Sequence, residues 1–324
     1  MVQQFTSAFR QMLPVQGRTC MSAPNTLEQL VSLRPLGGDC FEALLPANPP
    51  PRLFGGQLVA QALAATLATV RDDRPAHSLH AHFLRPCDGQ TAIQYHVETL
   101  RESRTFSTRR VAALQNGKTA LVATVSCQAS EPGLNFAPAM PQVPAPEGLR
   151  TEQQVRIDEL AAGRDTKWVR SPLFPHLHYD LRPVHPRKFA RPEKQSPKQA
   201  FWFRLDESPP ATAKAGQAML AYLTDIMLLS TTLLPHGVFW TTTPMQEASL
   251  DHAVWFHAPP RFDEWMLWDL STEWTGSARG LARGRIFAND GTLLASVAQE
   301  GLIRLEIPEG ESGGTVTRDE IVDR

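Results

Sequence analysis

One acidic side chain lies inside an otherwise apolar run in the second half of the sequence. The segment AYLTDIMLLSTTLLPHG covers Ala221–Gly237, and Asp225 is its only acidic residue. An ionised carboxylate is costly in apolar surroundings unless it is paired or hydrogen-bonded. The same surroundings raise the pKa of a carboxyl group and improve it as a general base near neutral pH. Asp225 is therefore a candidate for proton transfer, and a carboxylate that caps the start of a helix is the alternative.

Two other patterns resemble reactive sites but lack the sequence context that their chemistry needs. HLHYDLRPVH holds His176, His178 and His185, but H-x-H without a Cys pattern is more typical of a loop or strand than of a metal site. GESGG matches the G-x-S-x-G nucleophile elbow, which needs a histidine later in the chain, and none follows Ser312. The sequence therefore predicts neither a metal site nor a serine nucleophile. A general-base role also has no further support for the four histidines on predicted strands, His80, His82, His252 and His257.

Composition narrows the class of protein and its compartment. The chain has 324 residues, of which 42% are hydrophobic and 20% charged, as in an ordinary globular protein. Its formal net charge of −1 predicts neither nucleic acid nor an anionic membrane as a partner. The four cysteines form no C-x-x-C pair, and no apolar run reaches transmembrane length. We therefore expect a cytoplasmic protein with reduced thiols and no membrane span. Met21 could serve as an alternative start, which would place residues 1–20 outside the fold.

The order of predicted elements occurs twice along the chain. An apolar helix after a glycine pair, Gly55–Val70, precedes the strand-like runs HSLHAHFL, TAIQYHVETLRES and TFSTRRVAALQ, an Asn-Gly turn, and KTALVATVSCQ. A second apolar helix, Leu220–Leu234, precedes four comparable runs and the turn NDG. Phe83 matches Phe256 at a spacing of 173 (256 − 83). The sequence therefore indicates a tandem repeat.

Each half then contains one long helix and several antiparallel strands, which is an α+β layer arrangement. A long apolar helix wrapped by a curved antiparallel sheet is the hot-dog architecture, so two copies predict a double hot dog. The predicted organisation is an N-terminal extension, a first repeat, a Pro-rich linker, a second repeat and a polar tail, over residues 1–25, 26–130, 131–175, 176–306 and 307–324. The same alignment matches Gln57 with Asp225, so we expect the first half to have lost the carboxylate.

Several long blocks, in order, are similar to the acyl-CoA thioesterase II (TesB-type) family. They are LFGGQLVAQALAA, HSLHAHFLRPCD, VETLRESRTFSTRRVAALQNGK, AYLTDIMLL, ASLDHAVWFHAP and SARGLARGRIFANDGTLLASVAQEGLIR, and they span about Thr26 to Leu305. The resemblance implies a double hot dog that hydrolyses medium- to long-chain fatty acyl-CoA to a fatty acid and CoA. It also implies no metal or organic cofactor and a homo-oligomer of two or more chains.

The resemblance also implies the residues of the site. Asp225, Ser249 and Gln299 occupy the positions of the family's Asp, Thr or Ser, and Gln, which hold a water. Ser249 stands where threonine is common, so the hydroxyl is kept and a methyl group is lost. Gly55, Gly56 and Gln57 are also expected at the substrate, with tight packing at a strand-to-helix turn as the alternative for the glycine pair. The aromatic residues Phe83, Trp255 and Phe256 are expected to line a tunnel for the acyl chain. Arginines that could bind CoA phosphates, or else belong to a solvated strand face, are Arg104, Arg109, Arg110, Arg279 and Arg283.

Two alternatives stay open from the sequence. One is a hot-dog hydratase or dehydratase acting on acyl-CoA, which normally uses a His/Asp or His/Glu pair near the helix, although LTDIMLL contains no histidine. The other is a module that binds acyl-CoA without catalysis.

Overall fold

The computed structural model describes residues 26–44, 50–163, 179–186, 192–206, 210–240 and 242–306. The predicted N-terminal extension, the polar tail with Ser312, and the histidines His176 and His178 lie outside the described residues.

Five α-helices and thirteen strands make up the regular structure of the described residues. The helices are α1 (Leu27–Val31), α2 (Gly55–Ala68), α3 (Glu152–Ala161), α4 (Ala213–Thr224) and α5 (Leu228–Thr231), with 3₁₀ turns at Pro146–Gly148 and Leu234–His236. The strands are β1 (Leu33–Gly37), β2 (Cys40–Ala43), β3 (Ala76–Phe83), β4 (Gln94–Glu102), β5 (Phe106–Gln115), β6 (Lys118–Gln128), β7 (Tyr179–Pro183), β8 (Lys198–Leu205), β9 (Met245–Ser249), β10 (Asp251–Phe256), β11 (Met266–Gly276), β12 (Arg279–Ala288) and β13 (Leu293–Leu305).

One antiparallel sheet joins the two halves through β3 and β10. Outward from this junction, one half runs β3-β6-β5-β4-β2-β1 and the other runs β10-β13-β12-β11-β8-β7, while β9 also pairs with β13. The two halves thus repeat the same strand order. Asn116 and Gly117 both have positive φ between β5 and β6, as a tight hairpin turn requires. The predicted double hot dog is confirmed.

The two central helices, α2 and α4, pack antiparallel against each other inside the curve of the sheet. The Lys214 ammonium, at the start of α4, donates to the carbonyls of Leu67 and Val70 at the end of α2, at 2.7 and 2.9 Å. At the other end, the start of α2 meets the end of α4 at Gly56 and Tyr222. Opposite ends of the two helices are therefore neighbours, and each carries a charge from α4.

The stretch Ala213–His236 has the length and apolarity of a membrane-spanning helix, but 83% of its most apolar window is buried inside the fold. Burial of this kind is typical of a core helix, because its apolar side chains already face protein on every side.

The predicted single helix over Leu220–Leu234 is wrong, because the chain breaks after Thr224. Asp225 caps the C-terminus of α4, and Met227 takes a left-handed conformation with φ of 63° before α5 begins. The hydroxyls of Ser230 and Thr231 donate to the Met227 carbonyl at 2.9 and 2.7 Å. The Met227 carbonyl also accepts from the Thr231 backbone N–H at 3.1 Å, so the polar groups at the break are hydrogen-bonded inside the core.

The predicted match of Gln57 with Asp225 is also wrong. Gln57 lies in the first turn of α2, whereas Asp225 follows the last turn of α4, so the two residues occupy opposite ends of their helices. The pair Gly216-Gln217 near the start of α4 corresponds to Gly56-Gln57 in α2. The mismatch arose because α5 and a 3₁₀ turn lie between α4 and the strands of the second half.

Candidate active site

Asp225 lies at a buried point between the two central helices, with only 9% of its surface exposed. Burial raises its pKa to about 7, while hydrogen bonding from the Gln299 side chain and from the Gly56 backbone N–H lowers it in part. The C-terminal end of a helix also disfavours a negative charge. Asp225 is therefore no N-terminal cap, and its position is unfavourable for simple stability.

The first turn of α2 faces Asp225 without a side-chain cap. Its N-cap, Phe54, makes no capping hydrogen bond, so the positive end of the helix dipole points to the carboxylate. A Cβ added to Gly55 would lie 2.8 Å from Asp225 Oδ2 and 3.2 Å from Phe83 Cζ. A Cβ on Gly56 would lie 2.4 Å from the Tyr222 carbonyl oxygen. The two glycines therefore permit a backbone approach that no larger residue allows.

Gln299 and Ser249 come together on the inner side of the second half. Gln299, on β13, is 1% exposed, and its Nε2 donates to Ser249 Oγ at 2.5 Å. Because Gln299 also hydrogen-bonds to Asp225, the structure brings together all three residues expected to hold a water.

A register shift between β9 and β10 explains how Ser249 and His252 both come to lie next to Gln299. β10 pairs Ala253 with Ala298, whereas β9 pairs Ser249 with Gly301, so the register slips by one residue at Leu250. Side chains three positions apart normally point to opposite faces of a sheet. The irregularity turns both Ser249 and His252 toward Gln299, as bulges near active sites often do.

His252 and Thr224 are two members of the site that the sequence did not reveal. His252 Nδ1 lies 3.2 Å from Gln299 Oε1, and its Nε2 lies 2.9 Å from Thr224 Oγ1. Burial lowers the pKa of His252 to about 4, partly offset by its hydrogen bond to Gln299. The imidazole is therefore neutral at pH 7. The signal in the sequence is its alternation with the apolar Val254 and Phe256, which share the buried face of β10.

The expected aromatic residues do not form one group. Phe83 borders Gly55 at the site. Phe256 lies in the core four residues beyond His252, a separation of about 13 Å along a strand. Trp255 occupies the opposite face of β10 and packs edge-to-face against His80 at 5.1 Å between ring centroids. The expectation that Trp255 lines an acyl tunnel with Phe83 and Phe256 is therefore wrong, because alternate residues of a strand face opposite sides.

Several of the candidate arginines are engaged within the fold. Arg109 is buried and donates to Glu102 and to the Thr69 carbonyl at the end of α2, so it belongs to the core. Ion pairs on the strands hold Arg110 with Glu98, Arg279 with Glu300, and Arg283 with Glu273. These pairs agree with the alternative of a solvated strand face.

The fold and the site define a hot-dog protein with one buried, hydrogen-bonded carboxylate between its central helices. Family models described as Acyl-CoA thioesterase N-terminal domain and Acyl-CoA thioesterase match residues 45–128 and 177–302. Human acyl-coenzyme A thioesterase 8 is 36% identical over 291 residues, covering 87% of this chain and 90% of the human protein. Acyl-CoA thioesterase 2 from Haemophilus influenzae is 37% identical over 253 residues, covering 78% of this chain and 88% of that protein.

A solved structure is similar over nearly its whole length. The crystal structure of acyl-CoA thioesterase II TesB2 from Mycobacterium marinum superposes with a TM-score of 0.69 at 32% identity, covering 88% of this chain and 98% of that one. The chain belongs to the acyl-CoA thioesterase family. Its reaction is the hydrolysis of acyl-CoA thioesters, as the family resemblance implies.

Proposed function

We propose that Asp225, Gln299 and Ser249 hold and activate the water that attacks the thioester carbonyl. The observation that carries this proposal is their convergence at the uncapped start of α2. Asp225 is buried with a pKa of about 7, which suits a general base near neutral pH. Gln299 donates to Ser249 at 2.5 Å and hydrogen-bonds to Asp225, so one amide spans the two groups that flank the water.

In the proposed step, the water oxygen bonds to the carbonyl carbon as Asp225 accepts a water proton. The carbonyl oxygen becomes an oxyanion, which the N–H groups and the dipole of the first turn of α2 stabilise. The intermediate collapses as the C–S bond breaks. The departing CoA sulfur receives the proton from Asp225, and the carboxylate is restored.

The substrate is proposed to be a medium- to long-chain fatty acyl-CoA. The apolar side chains beside Asp225, including Phe54, Phe83 and Ile226, support an acyl chain over a polar one. CoA release by the wild-type protein should be measured with a thiol reagent, using acyl-CoA substrates from four to eighteen carbons. A maximum at eight carbons or more supports the proposal, and a maximum at four carbons contradicts it.

The hydratase alternative requires an exposed histidine at the substrate. His252 is fully buried, and both of its nitrogens have partners in Gln299 and Thr224, so it is poorly suited to abstract a substrate proton. Incubation with a 2-enoyl-CoA and analysis of the products separates the two reactions. Free fatty acid and CoA support hydrolysis, whereas a 3-hydroxyacyl-CoA contradicts it. The non-catalytic alternative predicts binding of palmitoyl-CoA without CoA release.

We also propose that the protein is cytoplasmic and forms a homo-oligomer. Cys40, Cys87 and Cys127 are free thiols, which supports a reducing compartment. The family resemblance and the fully exposed Leu134 and Phe136 support self-association. Light scattering coupled to gel filtration measures the mass, and a 35.9 kDa particle contradicts an oligomer.

A further inference from the structure

We propose that His252 is a positioning residue that fixes the orientation of the Gln299 amide through its Nδ1–H, while its Nε2 accepts from the Thr224 hydroxyl. The proposal deepens the proposed function, since it rests on Gln299 donating to Asp225 and Ser249. His252 itself does not touch the water or the substrate.

The first step of the argument concerns the two ends of the Gln299 amide. An ionised carboxylate can only accept hydrogen bonds, so the amide must turn its NH₂ toward Asp225. The same NH₂ group lies 2.5 Å from Ser249 Oγ. The carbonyl end, Oε1, is then left facing His252 Nδ1 at 3.2 Å. Because a carbonyl oxygen can only accept, Nδ1 must carry a hydrogen.

The second step concerns Thr224. A neutral imidazole has one N–H, so a hydrogen on Nδ1 leaves Nε2 as an acceptor. The Thr224 hydroxyl, 2.9 Å from Nε2, then donates to it. The hydrogen bonds run in one direction, from Thr224 to His252, to Gln299, and on to Ser249 and Asp225.

A reversed pattern is also self-consistent, and it would disable the site. The Thr224 hydroxyl also lies 2.8 Å from the Ala221 carbonyl, to which it can donate instead. His252 would then carry its hydrogen on Nε2, and Nδ1 would accept from the Gln299 NH₂. The amide oxygen would face the Asp225 carboxylate, where two acceptors repel each other. The tautomer of His252 and the orientation of the Gln299 amide are therefore coupled, and an Nδ1–H holds the NH₂ end of the amide toward the water.

The closed position of His252 supports a positioning role. His252, Thr224 and Gln299 are 0%, 0% and 1% exposed, so bulk water does not replace any lost partner. A buried polar group that loses its partner keeps the full cost of its desolvation. Without the imidazole, Gln299 Oε1 loses the partner that holds the amide in its orientation.

The tautomer can be measured directly in the full-length wild-type protein. Long-range ¹H–¹⁵N correlation NMR, with the His252 signals assigned by their loss in the variants below, identifies which ring nitrogen carries hydrogen. A pyrrole-like Nδ1 and a pyridine-like Nε2 at pH 7 are expected. A hydrogen on Nε2 overturns the proposal. This measurement does not depend on turnover, so it stands apart from the proposed role of Asp225.

Two substitutions separate donation from packing. In His252→Asn the side-chain amide can still donate where Nδ1 did, whereas His252→Leu fills the space without a donor. We expect His252→Leu to lower kcat about 10- to 100-fold with KM nearly unchanged, and His252→Asn to recover most of that loss. Equal kcat values for the two variants overturn the proposal. His257→Leu, which loses only a bond to Ser296 on an exposed strand end, is the control and should retain wild-type kcat.

Discussion

The backbone N–H of Gly56, in the first turn of α2, hydrogen-bonds to the carboxylate of Asp225, the residue at which α4 ends. The antiparallel packing of the two helices therefore offers the favourable end of one dipole to a charge that the end of the other disfavours. One site arises where the two halves of the chain meet, and both halves contribute to it.

Substitution of Gly55 by alanine should block the space at the carboxylate. The added methyl group would lie 2.8 Å from Asp225 Oδ2 and 3.2 Å from Phe83, which leaves no room for a water and a carbonyl group between them. We expect kcat to fall on the order of 10- to 100-fold. Gly133→Ala is the matched control, since no atom lies within 4 Å of its added Cβ. Equal activity of the two variants would show that the space beside Gly55 is not used.

The pH dependence of kcat/KM should have an acid limb that belongs to Asp225. Its pKa is about 7, so the base is mostly protonated at pH 5 and mostly ionised at pH 9. The rate should rise with pH through about 7 and then level off. Replacement of Ser249 by alanine should lower the plateau and leave the limb. A wild-type profile that is flat between pH 5 and pH 8 would contradict this assignment.

Stability should change with pH in the opposite direction. The pKa of Asp225 is higher in the folded state, about 7, than the ordinary value of 3.8. The folded state therefore binds the Asp225 proton more tightly than the unfolded state, which stabilises the fold. This contribution is fully present below about pH 4 and is lost as the pH rises through about 7. The Asp225→Asn variant lacks this loss, so its free energy of unfolding should exceed that of the wild type at pH 8, by up to about 4 kcal/mol. Denaturant unfolding at pH 4 and pH 8 measures the difference, and a variant less stable at pH 8 would be contrary to expectation.

The sequence predicted the fold well because the patterns that indicate it are spread along the whole repeat. The double hot dog depends on the order of helix and strand patterns and on the hairpin turn at Asn116-Gly117, and neither requires an exact residue position. Asp225 was recognisable because a charge interrupts an apolar pattern. Ser249 and Gln299 were identified through family resemblance, since isolated polar residues on strands carry no signal of their own.

The errors have local physical causes. The helix breaks at Met227 without a glycine or proline, the residues that normally indicate a break in the sequence. Hydroxyl groups from the next turn stabilise the break instead. Trp255 and Phe256 are adjacent in the sequence, but neighbouring residues on a strand face opposite sides. Nothing in the sequence marks His252 as a member of the site, because the register shift at Leu250, which turns it and Ser249 toward Gln299, is a property of the pairing with β13.

Hydrolysis in ¹⁸O-labelled water distinguishes direct attack by water from a covalent route through Asp225. Direct attack puts one ¹⁸O into the fatty acid and none into the protein. After many turnovers, mass spectrometry of the peptide containing Asp225 should therefore find no label. Incorporation into the Asp225 carboxyl group would instead indicate that it forms an anhydride with the acyl chain.

The most direct test of the central claim is kcat of Asp225→Asn with palmitoyl-CoA at pH 8, in a variant whose circular dichroism matches the wild type. Asparagine keeps the shape of the side chain and can still hydrogen-bond to a water, but it cannot accept the proton. We expect kcat to fall about 10²- to 10⁴-fold, the range typical of general acid–base catalysis. A kcat within threefold of the wild type would contradict the assignment of Asp225 as the group that activates the water.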